Sequence, residues 1–162
     1  MRSVRGFTVL ELTIAVALMG LLATLMMPAM QGYQTNSQVR SLAALLVTEA
    51  RHAESDATTQ QQQITWWIYG NGGHPQSWVV RQGFNQTIAT GTVNPPIDLT
   101  GCYRNTFMPN GTVSEAGPCN GNPVLACVDN GQASNPFALE ITIADLTEQV
   151  SVKQLSGLCP DI

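Results

Sequence analysis

One apolar run constrains this 162-residue chain more than any other feature. From Phe7 to Met27 the only ionisable side chain is Glu11. As a helix rising about 1.5 Å per residue, such a run covers roughly 30 Å, the thickness of a bilayer core. The remaining sequence has the mixed, Gly- and Thr-rich texture of a soluble domain. The sequence therefore predicts a spanning helix followed by a domain in water.

Basic residues before the run predict its orientation. Arg2 and Arg5 precede it and no basic cluster follows directly, so the positive-inside rule places Met1 in the cytoplasm and the domain outside. An ordinary secretory signal would carry a small-residue cleavage site after its apolar core. Only Met-Pro-Ala-Met at 27–30 approaches one. We therefore expect the run to be retained.

Glu11 requires an explanation, because an acidic side chain inside a spanning helix costs about 2.5–3.5 kcal/mol on insertion scales. One interpretation is that Glu11, near the start of the run, reaches the cytoplasmic interface. The other is that a cation neutralises its carboxylate. A new amino group on Phe7, created by cleavage in a neighbouring subunit, would be a suitable cation.

The segment Arg5-Gly6-Phe7-Thr8-Val9-Leu10-Glu11 resembles the class III signal of type IV prepilins and type II secretion pseudopilins. The resemblance implies that a prepilin peptidase cuts between Gly6 and Phe7 and methylates the Phe7 amine. It also implies that Glu11 docks each subunit into a filament, and that Pro28 occupies the place where many pilins carry a helix-kinking proline. The implied partners are other pilin or pseudopilin subunits, the peptidase and the inner membrane. The implied location is a single-pass position in the bacterial inner membrane with a periplasmic domain, then a surface pilus or a periplasmic pseudopilus.

The segment after Pro28 is expected to continue as an amphipathic helix. From Gln31 to Ala57 there is no proline and, after Gly32, no glycine. Apolar residues recur there at spacings of three and four, which indicates one buried helix face; they are Val39, Leu42, Leu46, Ala50 and Ala53. His52 is expected on the solvated side.

Strand patterns follow the helix. Ile64–Tyr69 and Ser77–Gln82, joined by Gly70-Asn-Gly-Gly73, predict a hairpin. Further strands are expected at 103–108, 112–115, 124–128, 137–143 and 149–155, and Thr87–Pro96 is expected to be a turn-rich connector. Trp66 and Trp67 are adjacent, so they point to opposite faces of a strand, and a tryptophan sugar platform is not favoured.

The predicted fold class is α+β, with a long N-terminal helix packed on an antiparallel sheet in a pilin-like arrangement. The expected parts are a leader at 1–6, a transmembrane and filament-core helix at 7–30, and a globular domain at 31–162. Short patterns give a second resemblance, to the pseudopilin H and minor-pilin group; they are Ala50-Arg51 with Ser55, Trp78, and Phe107–Gly111.

The four cysteines, Cys102, Cys119, Cys127 and Cys159, favour disulfides over a zinc site, because none forms a Cys-x-x-Cys pair. Sequence alone allows three connectivities. A hairpin interpretation of the residues after Cys102 favours Cys102–Cys119, which leaves Cys127 with Cys159.

No enzyme motif, cofactor site or metal site is predicted. Asp129-Asn130-Gly131 lacks the spaced carboxylates of a Ca²⁺ loop and indicates a turn. The predicted function is a structural subunit, a minor pilin or a pseudopilin, with a DNA-binding minor pilin for DNA uptake as the alternative. Nucleic acid is not a favoured partner, because the net charge is −4 and the chain after Gly6 offers only five cations. A singly anchored periplasmic enzyme is the third interpretation.

Overall fold

The chain folds as one long helix followed by antiparallel strands. The computed structural model describes residues 8–69, 76–83, 86–101, 104–116, 124–143 and 150–160, and within helix α1 it leaves out the side chains of 25–29 and 31. The elements in these ranges are α1 (Val9–Gln60), β1 (Ile64–Tyr69), β2 (Gln76–Gln82), β3 (Gln86–Val93), β4 (Asp98–Gly101), β5 (Arg104–Phe107), β6 (Val113–Ala116), β7 (Val124–Asp129), β8 (Ala138–Ile143) and β9 (Val150–Leu155).

Two compact units divide the chain, Met1–Gln34 and Thr35–Ile162. The first holds the N-terminal part of α1, and the second holds the rest of α1 and all the described strands. Every residue of the main hydrophobic core belongs to the second unit. The burial that stabilises the described fold is therefore confined to Thr35–Ile162.

The amphipathic half of α1 has the buried face that the apolar spacing predicts. Val39, Leu46, Ala50 and Ala53 are buried, and Leu42 is half-buried against the same core. Ala43 and Ala57 also lie on this face, while His52 is exposed as expected. Small alanines alternate here with larger side chains, so the helix can lie close to the sheets.

Two antiparallel sheets form in place of the single sheet expected. The five-stranded sheet has the order β3-β2-β1-β5-β6, and the four-stranded sheet has the order β4-β7-β8-β9. Strand β1 pairs with β2, as the hairpin pattern predicts, and also with β5 across a long stretch of sequence. The alternation within single strands does not specify such non-local pairings, so it could not divide the strands between two sheets.

Strand β1 shows why one face of the large sheet is core. Ile64, Trp66 and Ile68 are buried and alternate with half-buried residues that include Trp67. The expectation that Trp66 and Trp67 face opposite ways is therefore confirmed. On β2, buried Trp78 lies opposite Gly91 of β3, where a Cβ atom would come within 2.6 Å of the indole. Only glycine leaves room for that ring.

One strand contradicts the sequence-based prediction and another was not anticipated. The segment Thr87–Pro96 was expected to be a connector, but Gln86–Val93 forms β3 at the edge of the large sheet. Strand β3 is mostly exposed and rich in polar residues, so its sequence shows no apolar alternation that would predict a strand. The four-residue β4 follows two prolines and is too short to show a period.

A buried glutamine joins the two sheets. The Gln76 side chain, on β2, is 1% exposed and donates a 3.4 Å hydrogen bond to Asp98 Oδ1 on β4. Its carbonyl oxygen accepts a hydrogen bond from the Leu99 backbone N–H. Because both polar ends of a buried amide are used, this residue fixes the position of β4 against β2.

A disulfide holds the C-terminal segment. Cys127 on β7 is bonded to Cys159, with Cα atoms 5.8 Å apart. This is the pair that the hairpin interpretation leaves for Cys127. Cys102 and Cys119 lie outside the described residues. The Asp129 Oδ2 atom also accepts a 3.0 Å hydrogen bond from the Cys159 backbone N–H, so the segment is attached to β7 twice.

Candidate assembly site at the start of the helix

Thr8 and Glu11 form a reciprocal capping box at the start of α1. The Thr8 backbone N–H donates to Glu11 Oε2 at 3.0 Å, and the Thr8 hydroxyl donates to the same oxygen at 3.1 Å. The Glu11 backbone N–H in turn donates to Thr8 Oγ1 at 3.3 Å. The first helical hydrogen bond runs from Leu12 N–H to the Thr8 carbonyl. Thr8 is therefore the N-cap and Glu11 the third helical residue.

This cap gives Glu11 a partner within its own chain. Its carboxylate lies at the helix N-terminus, where the unpaired N–H groups of the first turn favour negative charge. Both described hydrogen bonds to the side chain use Oε2. Neither interpretation of Glu11 anticipated these capping bonds.

The other predicted processing residues are not characterised by the structure. Gly6 and Phe7 lie outside the described residues. Pro28 falls within the range of α1, which is helical on both sides of it, but its side chain is among those left out. Cleavage after Gly6, methylation of Phe7 and the assembly role of Pro28 therefore stay predictions.

Apolar side chains cover the helix around the capping box. The large ones from Val9 to Leu22 are 53–80% exposed. They are spaced one or two residues apart and so point in all directions around the helix axis, which excludes an amphipathic helix with one buried face. Among the side chains that the structure describes, no helix is both long and apolar enough to cross a membrane.

The Asp129-Asn130-Gly131 segment uses its polar groups internally. Asn130 is fully buried; its Nδ2 donates to Asn36 Oδ1 and to the Asn135 carbonyl, at 3.0 and 2.8 Å. Its Oδ1 accepts from the backbone N–H groups of Gln132 and Phe137. Gly131 has φ +61°, and a Cβ atom there would lie 2.4 Å from the Pro96 carbonyl oxygen. The predicted turn is confirmed, and the Asn130 amide uses both its donors and both its acceptor sites within the protein.

Sequence relatives of this chain are pilins. It is 32% identical over 111 residues to two forms of the type IV major pilin protein PilE1 of Neisseria gonorrhoeae, a match that covers 68% of this chain. The chain belongs to the type IV pilin-like superfamily. The pilin homologues are structural, non-enzymatic proteins. The match covers 55% and 51% of the two relatives, so the chain spans about half the length of the pilins it matches.

A solved pilin structure also aligns with this pilin-like chain. The crystal structure of the type IV minor pilin FimU from Pseudomonas aeruginosa aligns with a TM-score of 0.49 and 15% identity, covering 75% of this chain and 95% of FimU. No protein-family model matches the sequence. The resemblance to the pseudopilin H group is not tested by these comparisons and stays a prediction.

The capping box is the feature of this pilin-like helix that sequence reasoning missed. Its signal was present, since Thr8-Val9-Leu10-Glu11 has the spacing of threonine and glutamate that marks a helix start before an apolar run. Neither the interfacial nor the cation interpretation of Glu11 includes this capping role. Among the described residues, no group of three potential ligands for a metal ion occurs.

Proposed function

We propose that this protein is a structural subunit of a type IV pilus, held in the inner membrane by Phe7–Met30 until it enters the filament. One observation carries the proposal: the large apolar side chains of α1 from Val9 to Leu22 are all more than half exposed. A contiguous apolar surface of this extent is characteristic of a membrane or protein contact. The apolar run and the basic residues before it support a single-pass orientation with a periplasmic domain.

Once the helix has left the membrane, the energetics of that surface favour its burial in a protein core over exposure to water. Burying one large aliphatic side chain contributes roughly 1.5–3 kcal/mol relative to water. Several such residues together exceed the roughly 4–15 kcal/mol that association costs in lost freedom of movement. Other pilin subunits presenting the same kind of helix can supply this burial, so no covalent link between subunits is needed.

Processing after Gly6 would leave the capping box intact, because Thr8 and Glu11 both lie on the retained side of the cut. The prepilin peptidase would create an amino group on Phe7, one residue before the N-cap, and methylate it. In the filament the Glu11 carboxylate would pair with the Phe7 amine of a neighbouring subunit, which sets the register. A misplaced subunit would leave a carboxylate unpaired in an apolar surrounding.

Mass spectrometry of the protein in its native cells tests the processing step. We expect the mature chain to begin with N-methylated Phe7. A chain that still begins with Met1 would refute the proposal. Sheared surface pili should contain the mature chain, whereas its absence from pili together with loss of type II secretion in a deletion strain would indicate a pseudopilus.

Three variants separate the charge of Glu11 from its capping role. Glu11→Gln keeps a side chain that can accept the capping hydrogen bonds but removes the charge. Thr8→Ala keeps the charge but removes the hydroxyl, at a typical cost of about 1 kcal/mol. Glu11→Leu removes both.

If the carboxylate pairs with an amine between subunits, Glu11→Gln and Glu11→Leu will both block recovery in sheared pili, while Thr8→Ala will be recovered. Membrane levels measured by immunoblot should be similar for all three. Normal recovery of Glu11→Gln would show that Glu11 acts as a cap alone, and would remove the charge-pairing step from the proposal.

The DNA-uptake alternative stays a prediction. Of the five cations after Gly6, only Arg81 and Arg104 line a common groove. Arg40 lies over the Phe137 ring, Arg51 is on the exposed side of α1, and Lys153 is on β9. A salt-dependent mobility shift of duplex DNA by the purified protein would support that role, which normally uses several clustered phosphate contacts.

A further inference from the structure

A groove lies on the face of the large sheet that points away from the core. It has a volume of about 420 Å³, within the roughly 300–1,000 Å³ typical of small-ligand sites. On β1 its residues alternate with buried Ile64 and Trp66, and on β5 they alternate with buried Asn105 and Phe107. The lining residues that matter for binding are Thr65, Trp67, Arg81, Arg104, Thr106 and Ser114.

Two arginines flank this groove and none of its described lining residues is acidic. Arg81 on β2 is paired with Thr65 of β1, and Arg104 on β5 is paired with Trp67 of β1. With strands about 4.8 Å apart, this arrangement separates the two Cα atoms by about 12 Å. Two of the five cations after Gly6 are thus placed around one cavity in a chain of net charge −4.

The Arg104 guanidinium is held by an aromatic side chain. Its central carbon lies 5.5 Å from the Trp67 ring centroid, which is a cation–π contact. The Trp67 ring is parallel to Tyr69, with an angle of 4° between the planes and 6.2 Å between the centroids. Because these contacts restrict the arginine, less rotamer freedom is lost when its N–H groups bind an anion.

Regular strand alternation places the second cation on the groove face. Arg81 follows buried Val80 on β2, and β1 and β2 pair through Arg81 without a register shift. The register shift at this point lies on the other side of β2, where Ile88 of β3 is the extra residue. The neighbouring strand β1 therefore fixes the position of Arg81 beside the groove.

The chemistry of the lining selects the ligand class. Arginine pairs with carboxylates through two parallel N–H···O bonds, and the hydroxyls of Thr65, Thr106 and Ser114 can exchange hydrogen bonds with sugar hydroxyls. A nucleobase would need an open aromatic face for stacking, but the Arg104 guanidinium lies over Trp67. Two cations are also few for a strand of phosphates. A sugar that carries a carboxylate can bind both the arginines and the hydroxyl groups of the lining.

We propose that this groove binds a uronic acid, with Arg81 and Arg104 contacting the carboxylate region and the threonine and serine hydroxyls contacting the ring. This site is independent of the assembly role proposed for α1. Nothing in it involves residues of the N-terminal unit, so either proposal can fail while the other stands.

Titration calorimetry on the full-length protein in detergent micelles tests the site, with galacturonate, a galacturonate oligomer, galactose and a single-stranded DNA oligonucleotide as probes. We expect the two uronates to bind and galactose to show no binding at the same concentrations. Binding of the galacturonate oligomer alone would indicate that the natural ligand is a polysaccharide. Binding of both the oligomer and galacturonate would indicate that the free sugar acid is also a ligand. Each of these results supports the proposal.

Substitutions in the groove give the decisive comparison. Arg81→Gln and Arg104→Gln should each weaken uronate binding by about tenfold or more, since each removes a hydrogen bond to a charged group. Ser114→Glu places a negative charge, of the same sign as the ligand carboxylate, on an exposed position of β6 and should weaken binding. Arg51→Gln, on the exposed side of α1, is the matched control and should bind as the unmodified protein does.

Absence of uronate binding would overturn the proposal, as would equal affinities in the groove variants and the Arg51→Gln control. Tighter binding of the oligonucleotide than of either uronate would replace it with a nucleic-acid site. Circular dichroism of each variant shows whether the fold is kept, and Ser114→Glu keeps the test valid if an arginine variant fails to fold.

Discussion

At the scale of single residues, buried polar side chains connect segments that are distant in sequence through hydrogen bonds. Asn130 is the clearest case, because its amide bonds Asn36 of α1 and three backbone groups of its own loop. Such a side chain stabilises the fold because it supplies the hydrogen bonds that its partners need inside the protein. The sequence suggested a turn here but gave no sign of the contact with α1.

Asn130→Ala should therefore be strongly destabilising. It leaves the buried Phe137 N–H and the half-buried Gln132 N–H without their acceptor, each costing about 1–3 kcal/mol, so the free energy of unfolding should fall by about 3 kcal/mol. Asn135→Ala is the matched control, because both described bonds of Asn135 use its backbone and its side chain is exposed. Denaturant unfolding of the two proteins in detergent measures the difference. Equal stabilities would show that the Asn130 network contributes little.

At the scale of elements, sequence patterns predicted what local spacing determines and missed what depends on distant pairing. The helix face from Val39 to Ala53 and strands β1 and β2 follow periods of 3.6 and 2, so their burial could be predicted. Strand β3 could not, because a mostly exposed edge strand has no apolar alternation. The groove between Arg81 and Arg104 could not be predicted from the sequence for a related reason, because β5 is next to β1 only through a non-local pairing.

Neighbouring leucines in α1 provide a matched test of the helix face. Leu46 is fully buried, whereas Leu45 is 44% exposed. Leu46→Ala should lower the free energy of unfolding by about 2–5 kcal/mol through lost burial and a cavity, and Leu45→Ala by less than about 1 kcal/mol. Thermal or denaturant unfolding followed by circular dichroism measures both. A larger effect at Leu45 would mean that the helix face is assigned wrongly.

At the scale of the whole molecule, a covalent bond and a hydrogen bond together attach the C-terminal segment to β7. The Cys127–Cys159 disulfide spans 32 residues, for which the chain-entropy model gives a stabilisation of about 3–4 kcal/mol. The Asp129 bond to Cys159 acts on the same segment.

Replacing both of these cysteines tests how much that closure contributes. The double variant Cys127→Ser and Cys159→Ser should lose about 2–4 kcal/mol of stability, measured by denaturant unfolding under non-reducing conditions. Ser156→Ala, in the exposed part of the same segment, is the control and should change the stability by less than about 0.5 kcal/mol. An unchanged midpoint for the double variant would show that hydrogen bonds and core packing hold the segment without the disulfide.

Whether stability and assembly reside in separate parts of the chain is a prediction about the molecule as a whole. Every side chain of the main core lies at Val39 or beyond, and the exposed apolar surface of α1 from Val9 to Leu22 lies before it. Removing residues 1–34 should therefore leave a protein that is monomeric in water, as judged by size-exclusion chromatography, because it deletes an apolar surface and no core. Its free energy of unfolding should lie within about 1 kcal/mol of that of the full chain in detergent, because distant segments that share no partners contribute additively. The same fragment carrying Leu46→Ala should lose as much stability as the full chain does. A fragment that is unfolded or aggregates in water would show that the N-terminal unit also supports the core, and that assembly and folding cannot be separated along this helix.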